Sequence, residues 1–483
     1  MSELAFASAT QLAAKLAAKE VSARELIEMY LDRIEAHNPG LNAIIWMDAD
    51  AAKAEADASD ARRAAGTLKG PLDDIPVSVK ESFDLTGSPT TWGVPEFKDN
   101  IATSDSNVVA RYRAAGANVF AKTNVPFMLS DWQSFNEIYG TCNNPWDQSR
   151  SPGGSSGGTA AALAAGMTGL DAGSDIGASI RNPAHYCGIA GHKPTFDIVS
   201  GRGQALPGDM GGTDIAVVGP MARSAEDLKL AMGVLAGSDG PMARGWQLAL
   251  PQPRKTALKD FKVSVVLTDP ESEVDQTVQD QIIALADWLR AEGATVVMDA
   301  RPGFTSAEAM EIYTMLLRSA TSKRMTDQMM DEARAALAAL PADASAYRRR
   351  MLEAQMMGHR EWLRWNDRRM GLNAGWEAFF DDFDLMLCPA AASAAFPHDQ
   401  QGERHDRTIE VNGKQVPTTD QLFWAGYPGV SFLPSTVVPI GLTPDQLPVG
   451  IQIVGREYDD MTCLHMAGLI EQGYYRFAPP PGF

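Results

Sequence analysis

Residues Ser151 to Thr195 read SPGGSSGGTAAALAAGMTGLDAGSDIGASIRNPAHYCGIAGHKPT, and this stretch decides the fold. Its densest part is Gly153-Gly154-Ser155-Ser156-Gly157-Gly158. Glycines on both sides of two serines remove side chains where backbone bends sharply or closely approaches another group. A phosphate-cradling loop would need a lysine after the glycines, or GxGxxG ahead of a helix, and has neither. Gly154 to Gly158 fits GxSxG, the elbow of hydrolases that use a later acid and histidine. Several histidines follow, but nothing marks one as catalytic. A flexible structural turn is the plain reading of a bare Gly/Ser loop. The second half of the stretch argues against it: Asp175-Ile-Gly-Ala-Ser-Ile-Arg181 sets Ser179 24 residues after Ser155, again beside small residues.

Outward from this stretch the chain alternates helix and strand. Residues 8–19 and 22–37 read as amphipathic helices, the second opened by Ser22 with Glu25 in a capping-box spacing. An Ala-rich helix covers about 49–65. Ile75, Val77 and Val79 alternate as on a strand, with Lys80 at its end. A helix over 107–115 and a strand over 118–121 precede the glycine-rich stretch, and a helix over 159–166 follows the glycines directly. Ser224 to Asp227 opens another helix with a capping-box spacing. The strand at 262–267, helix at 274–292 and strand at 295–298 form a βαβ unit. Residues 305–380 are mainly helical, 384–388 a short strand, 398–420 polar and irregular, and 449–454 a strand before a final helix. The class is α/β.

Composition narrows the function. Of 483 residues, 42 are basic and 61 acidic, a formal net charge of −19. Such a chain repels phosphate backbones, which argues against nucleic acid as a partner. The four cysteines are far apart and read as reduced thiols, and the seven histidines show no zinc-binding spacing. No signal peptide and no apolar run long enough to span a membrane is read, so the expected location is the cytoplasm.

The separated blocks together resemble the amidase signature family. The match rests on Gly153–Gly158, Asp175–Arg181 and Cys187-Gly-Ile-Ala-Gly-His-Lys-Pro-Thr195. Upstream it includes Gly70-Pro-Leu-Asp-Asp-Ile-Pro-Val-Ser-Val-Lys80, Lys122-Thr-Asn-Val-Pro126 and Asn144-Pro-Trp-Asp147, and downstream Pro448-Val-Gly-Ile-Gln-Ile-Val-Gly455. The resemblance implies an α/β/α sandwich around a large mixed sheet with N-terminal helices. It implies one domain over 1–483: helices to about 66, a signature core over 67–240, a helical substrate-side region over 300–380 and a core return over 381–475.

It further implies a serine hydrolase without cofactor or metal, cutting an amide or a related ester or carbamate of a small molecule. Ser179 would be the nucleophile, Lys80 the base and Ser155 the relay, after a cis peptide. Backbone N–H groups of Ile176, Gly177, Ala178 and Ser179 would form the oxyanion hole, with Ser156, Asp175 and Arg181 bracing the loop. A lysine serves as base only when neutral, and moving its pKa from about 10.4 to roughly 7–8 costs about 4 kcal/mol, which burial supplies.

Two departures stand out. Ala178 replaces the usual glycine, and it is strained if φ is positive there. Phe127 replaces a commonly acidic residue and, with Met128, Leu129 and Trp132, suggests an apolar acyl or aryl pocket, for which core packing is an equal reading. Trp424 is a further pocket candidate. The rivals are a glutaminase-type subunit of a tRNA-dependent amidotransferase, disfavoured by charge, and a catalytically silent binding protein of the same fold. Oligomeric state is left open, a homodimer included.

Overall fold

The computed structural model describes residues 2–483. Its centre is an eight-stranded mixed sheet. In spatial order its strands are Thr295–Met298, Lys262–Val265, Leu385–Pro389, Pro448–Val454, Ser435–Leu442, Ala190–Lys193, Val217–Ala222 and Asp171–Asp175. The βαβ unit supplies one edge, its strands pairing in parallel. All residues of Pro448–Val454 are buried. Successive side chains on a strand point to opposite faces, so both faces of the sheet are covered there.

A smaller sheet orders Ile44–Met47, Asn118–Thr123 and Pro76–Lys80. A parallel bridge between Val77 and Leu170 joins it to the far edge of the large sheet. The Ser78 N–H donates to the Leu170 carbonyl at 3.2 Å. This junction sets Lys80, at the end of its strand, beside Asp171–Asp175.

Helices form where the periodicity places them. Ala9–Ala17 and Ala23–Leu41 are each opened by a complete capping box, from Ser8 with Gln11 and Ser22 with Glu25. Ala49–Ala65 ends on Gly66 in the left-handed region. Near Ser224 the expected capping box is half made. The Ser224 hydroxyl accepts the Asp227 N–H, but the Asp227 carboxylate turns away to accept the N–H groups of Ala9 at 2.8 Å and Thr10 at 2.9 Å. One acidic side chain thus caps a helix more than two hundred residues upstream.

Two segments hold strands beyond those expected. The region 398–420 holds a hairpin, Thr408–Val411 with Lys414–Pro417, turned by Asn412 and Gly413, both at positive φ. Asn-Gly is the residue pair that a two-residue hairpin turn favours. Ser435–Leu442 is a strand despite Pro439. Its neighbour Ala190–Lys193 pairs only with Ser435–Val437, and the other pairing is irregular between Pro439 and Gly441. Proline therefore falls where little ladder is lost. The four cysteines are free and buried, and among the described residues no helix is long and apolar enough to cross a membrane.

Asp227→Ala removes the carboxylate from two helix-start N–H groups. The expected loss is about 2 kcal/mol, read from the urea midpoint, with amide exchange rising first in residues 8–17. Unchanged exchange there would contradict the capping role.

Candidate active site

The two serines belong to one buried unit. From Ser151 to Thr195 every residue is buried except Ile176. Glycine is required where the loop is tightest: a Cβ on Gly158 would lie 2.3 Å from the Asn124 nitrogen. Gly153 sits at φ +87, where a Cβ would meet Asn182 at 2.6 Å. The Gly154–Ser155 peptide is cis. The helix Gly157–Ala164 begins directly after Ser156. The Ser156 N–H donates to the Ser179 carbonyl at 3.1 Å, which ties the two serine-bearing segments together.

Lys80 is fully buried. Its Nζ donates to Ser155 Oγ at 2.6 Å and to Ser174 Oγ at 3.0 Å. No carboxylate is among its hydrogen-bond partners. Burial lowers its pKa from 10.5 to about 7, against the opposing pull of Asp175, Asp171 and Glu81. Asp171 is buried nearby, held by Ser78 and Thr159, and burial pushes its carboxyl up to about 7.

Asp175 and Arg181 brace the Ser179 loop from inside the protein. Both side chains are buried and the Arg181 Nη2 to Asp175 Oδ1 distance is 2.8 Å. The Arg181 guanidinium also donates to the Gln452 side-chain oxygen Oε1 at 2.7 Å and to the Ala425 backbone carbonyl at 3.0 Å. The Arg181 guanidinium, with the Ile180 N–H and the Lys193 charge, holds the Asp175 carboxyl below its ordinary value despite burial. The pair is structural at a buried site, with its charges matched and hydrogen-bonded.

The same carboxylate corrects the expected oxyanion donors. Asp175 accepts the Ala178 N–H at 2.9 Å and the Ile180 N–H at 3.0 Å, so the Ala178 N–H is already engaged. The N–H groups of Ile176, Gly177 and Ser179 have no partner among the described residues. Ala178 itself lies at φ +67, the strained alternative.

The pocket candidates divide. Trp132 is buried and donates its indole N–H to the Gly177 carbonyl at 2.7 Å, so it props the loop. Trp424 is buried in the core, edge-on to Phe423 at 5.0 Å, and is a packing residue. Phe127 is 51% exposed, and Met128 and Leu129 are half-buried at φ 53 and 54; the three form a surface rim rather than a buried pocket.

Three participants carry no mark in the sequence that singles them out beforehand. Ser174 takes the second Lys80 hydrogen bond, and Gln204 donates to Ser174 at 3.1 Å. Tyr313 donates its hydroxyl to the Ile176 carbonyl at 3.0 Å. Ser174 could have been found one residue before Asp175; nothing local marks the other two. The histidine-dependent elbow is not assembled: His185 bonds Ser393 and Gly450, and His192 bonds Thr436 and Asp460.

A family model described as Amidase matches residues 25–464. The chain is 32% identical over 493 residues to one of the subunits of the glutamyl-tRNA(Gln) amidotransferase from Anaeromyxobacter sp. (strain K), covering 97% of this chain and 96% of that protein. It is also 32% identical over 483 residues to an indoleacetamide hydrolase from Bradyrhizobium diazoefficiens, covering 96% of this chain and 86% of that one. A solved bacterial aryl acylamidase of the amidase signature family shares the fold at a TM-score of 0.82, with 24% identity and 99% coverage of both chains.

Two substitutions probe this geometry. Ala178→Gly relieves the left-handed alanine and is expected to stabilise the fold by about 1 kcal/mol, seen as a raised melting temperature; a loss would show that φ there is not positive. Lys80→Met removes a buried amine whose folded pKa lies below its unfolded value. Wild-type stability therefore rises with pH from about 7 towards 10.5 as this penalty fades. The stability gained by Lys80→Met should be largest below pH 7 and shrink towards pH 10; a difference constant with pH would contradict the depressed value.

Proposed function

Since the chain belongs to the amidase family and is an amide-bond hydrolase, we propose that it cleaves its substrate through an acyl-enzyme on Ser179, with Lys80 as base and Ser155 as relay. The observation that carries the reading is the fully buried Lys80 amine, 2.6 Å from Ser155 Oγ on the loop whose next residue holds the Ser179 carbonyl.

Neutral Lys80 takes the Ser155 proton as Ser155 takes the proton of Ser179. The Ser179 oxygen then adds to the substrate carbonyl. The N–H groups of Ile176, Gly177 and Ser179 stabilise the resulting oxyanion, each such donor being worth about 3–4 kcal/mol. Collapse breaks the C–N bond, and the proton returns through Ser155 to the departing amine. Water attacks the ester by the same relay in reverse, freeing the acid and regenerating Ser179. Ser174 and Gln204 orient the lysine. Tyr313 and Trp132, each on a carbonyl of the loop, keep its N–H groups turned towards the substrate.

The substrate is proposed to be a small-molecule amide, with esters or carbamates open to the same machinery, and the enzyme to act in the cytoplasm without a metal. The rival reading, as part of an amidotransferase, draws support from relatives of equal identity. The net charge of −19, which disfavours a tRNA partner, supports a hydrolase that works alone.

A panel of aliphatic amides, anilides, esters, carbamates and L-glutamine tests this on the purified chain with EDTA present. Turnover is expected to survive EDTA and to fall by roughly 10⁴-fold or more in Ser179→Ala; persistence in that variant sinks the nucleophile assignment. Glutamine as the sole substrate, cleaved only with added partner subunits, would favour the amidotransferase reading. Because only neutral Lys80 is a base, kcat/KM should fall as pH drops through an apparent value near 7. Asp171 titrates in the same range, so that limb belongs to the coupled pair. A flat profile from pH 5 to 8 would contradict a lysine base.

A further inference from the structure

Arg404 and Arg318 stand outside the machinery assigned above, and both carry guanidinium nitrogens that the fold buries without satisfying. Arg404 donates through Nη1 to the Ser130 carbonyl at 2.8 Å. Its guanidinium stacks over the Trp132 ring, 5.4 Å from the centroid. Its Nε and Nη2 are buried and meet no acceptor among the described residues. Arg318 lies five residues beyond Tyr313 on the helix Ser306–Ala320. It donates to the Tyr347 hydroxyl, and its Nε is buried without an acceptor. Asp131, Tyr347, Arg318 and Tyr313 all act electrostatically on Arg404, and Arg318 shares its helix with Tyr313, so the two guanidiniums are neighbours.

Nothing among the described residues completes this arrangement. Asp131 is the nearby carboxylate, but its Oδ2 is taken by Arg407 at 2.6 Å and its Oδ1 bonds nothing. The carboxylate that acts on Arg404 is thus already committed to Arg407. A buried N–H left unpaired costs about 1–3 kcal/mol, and more on a charged group. Such groups are rare in native structures and call for an acceptor. Two of the unpaired nitrogens, Nε and Nη2, belong to one planar guanidinium, whose fork matches the two oxygens of a carboxylate.

The two arginines border the reacting loop. Trp132, under Arg404, holds the Gly177 carbonyl, and Tyr313 holds the Ile176 carbonyl. Ile176 is also where the burial of the signature stretch breaks. We propose that Arg404, assisted by Arg318, binds a carboxylate carried by the substrate, so that the enzyme acts on amides bearing a negative charge elsewhere in the same small molecule. This rests on the Ser179 reading above and specifies its substrate class.

Monoamides of a homologous series of dicarboxylic acids, set against neutral primary amides of equal length, test the preference on the full chain. Wild type is expected to favour the charged member of at least one pair by roughly 10- to 100-fold in kcat/KM. Arg404→Gln should collapse that ratio, with KM rising more than kcat falls, and Arg404→Lys should restore part of it. The absence of a preference at every length would overturn the proposal. So would an equal loss on charged and neutral amides in Arg404→Gln, which would make Arg404 only a prop for Trp132.

Two readouts separate this from the mechanism. Labelling by a neutral fluorophosphonate reports Ser179 alone, so its failure indicts the nucleophile and not Arg404. Calorimetric binding of the charged monoamides to Ser179→Ala, lost on adding Arg404→Gln, supports the carboxylate site without any turnover; binding unaffected by Arg404→Gln refutes it.

Discussion

An ammonium ion in a dry interior is costly, and Lys80 has no carboxylate in hydrogen-bond contact to offset that cost. On the proposed mechanism that cost is what makes the amine a base near neutral pH, and much of the surrounding structure keeps it in force. The junction between the two sheets brings the strand end that bears Lys80 against Asp171–Asp175. The glycine-rich turn delivers Ser155 to the amine, and the Asp175–Arg181 pair holds the Ser179 loop from beneath. Each of these supports is buried, so none is weakened by solvent or salt.

The division of labour between Asp175 and the loop is a second constraint. One carboxylate accepts three backbone N–H groups and a guanidinium. It fixes which N–H groups stay free, and it holds Ala178 in a conformation that alanine disfavours. A local backbone cost of this kind persists only where the surroundings over-determine it, and here the buried ion pair and the Trp132 and Tyr313 hydrogen bonds do so.

Legibility in the sequence tracked locality. The capping boxes at Ser22 and Glu25, the alternation ending at Lys80 and the βαβ unit are written within a few residues, and the structure has them. Asp171–Asp175 could not be seen as a strand, because Asp-Ala-Gly-Ser-Asp has no apolar alternation and is buried through long-range pairing. Pro439 disguised Ser435–Leu442 in the same way. At the site, the blocks around Lys80, Ser155 and Ser179 could be read as a set. The contributions of Gln204 and Tyr313 could not, since each reaches the loop from a distant element. For Trp132 and Trp424 the sequence left pocket and core open, because a large aromatic looks alike in sequence whether it lines a pocket or fills a core.

Ile176 is the one unburied residue between Ser151 and Thr195, and Ser179 is only 5% exposed. On the proposed mechanism, that narrow approach imposes traffic rules on a two-stage reaction. The amine must vacate the doorway before water can reach the ester, so departure and hydrolysis occur in strict sequence. Any small nucleophile slim enough to enter in place of water competes for the same acyl group. The shape of the entrance, more than the chemistry inside, then decides whether the acyl group is handed to water or to another acceptor.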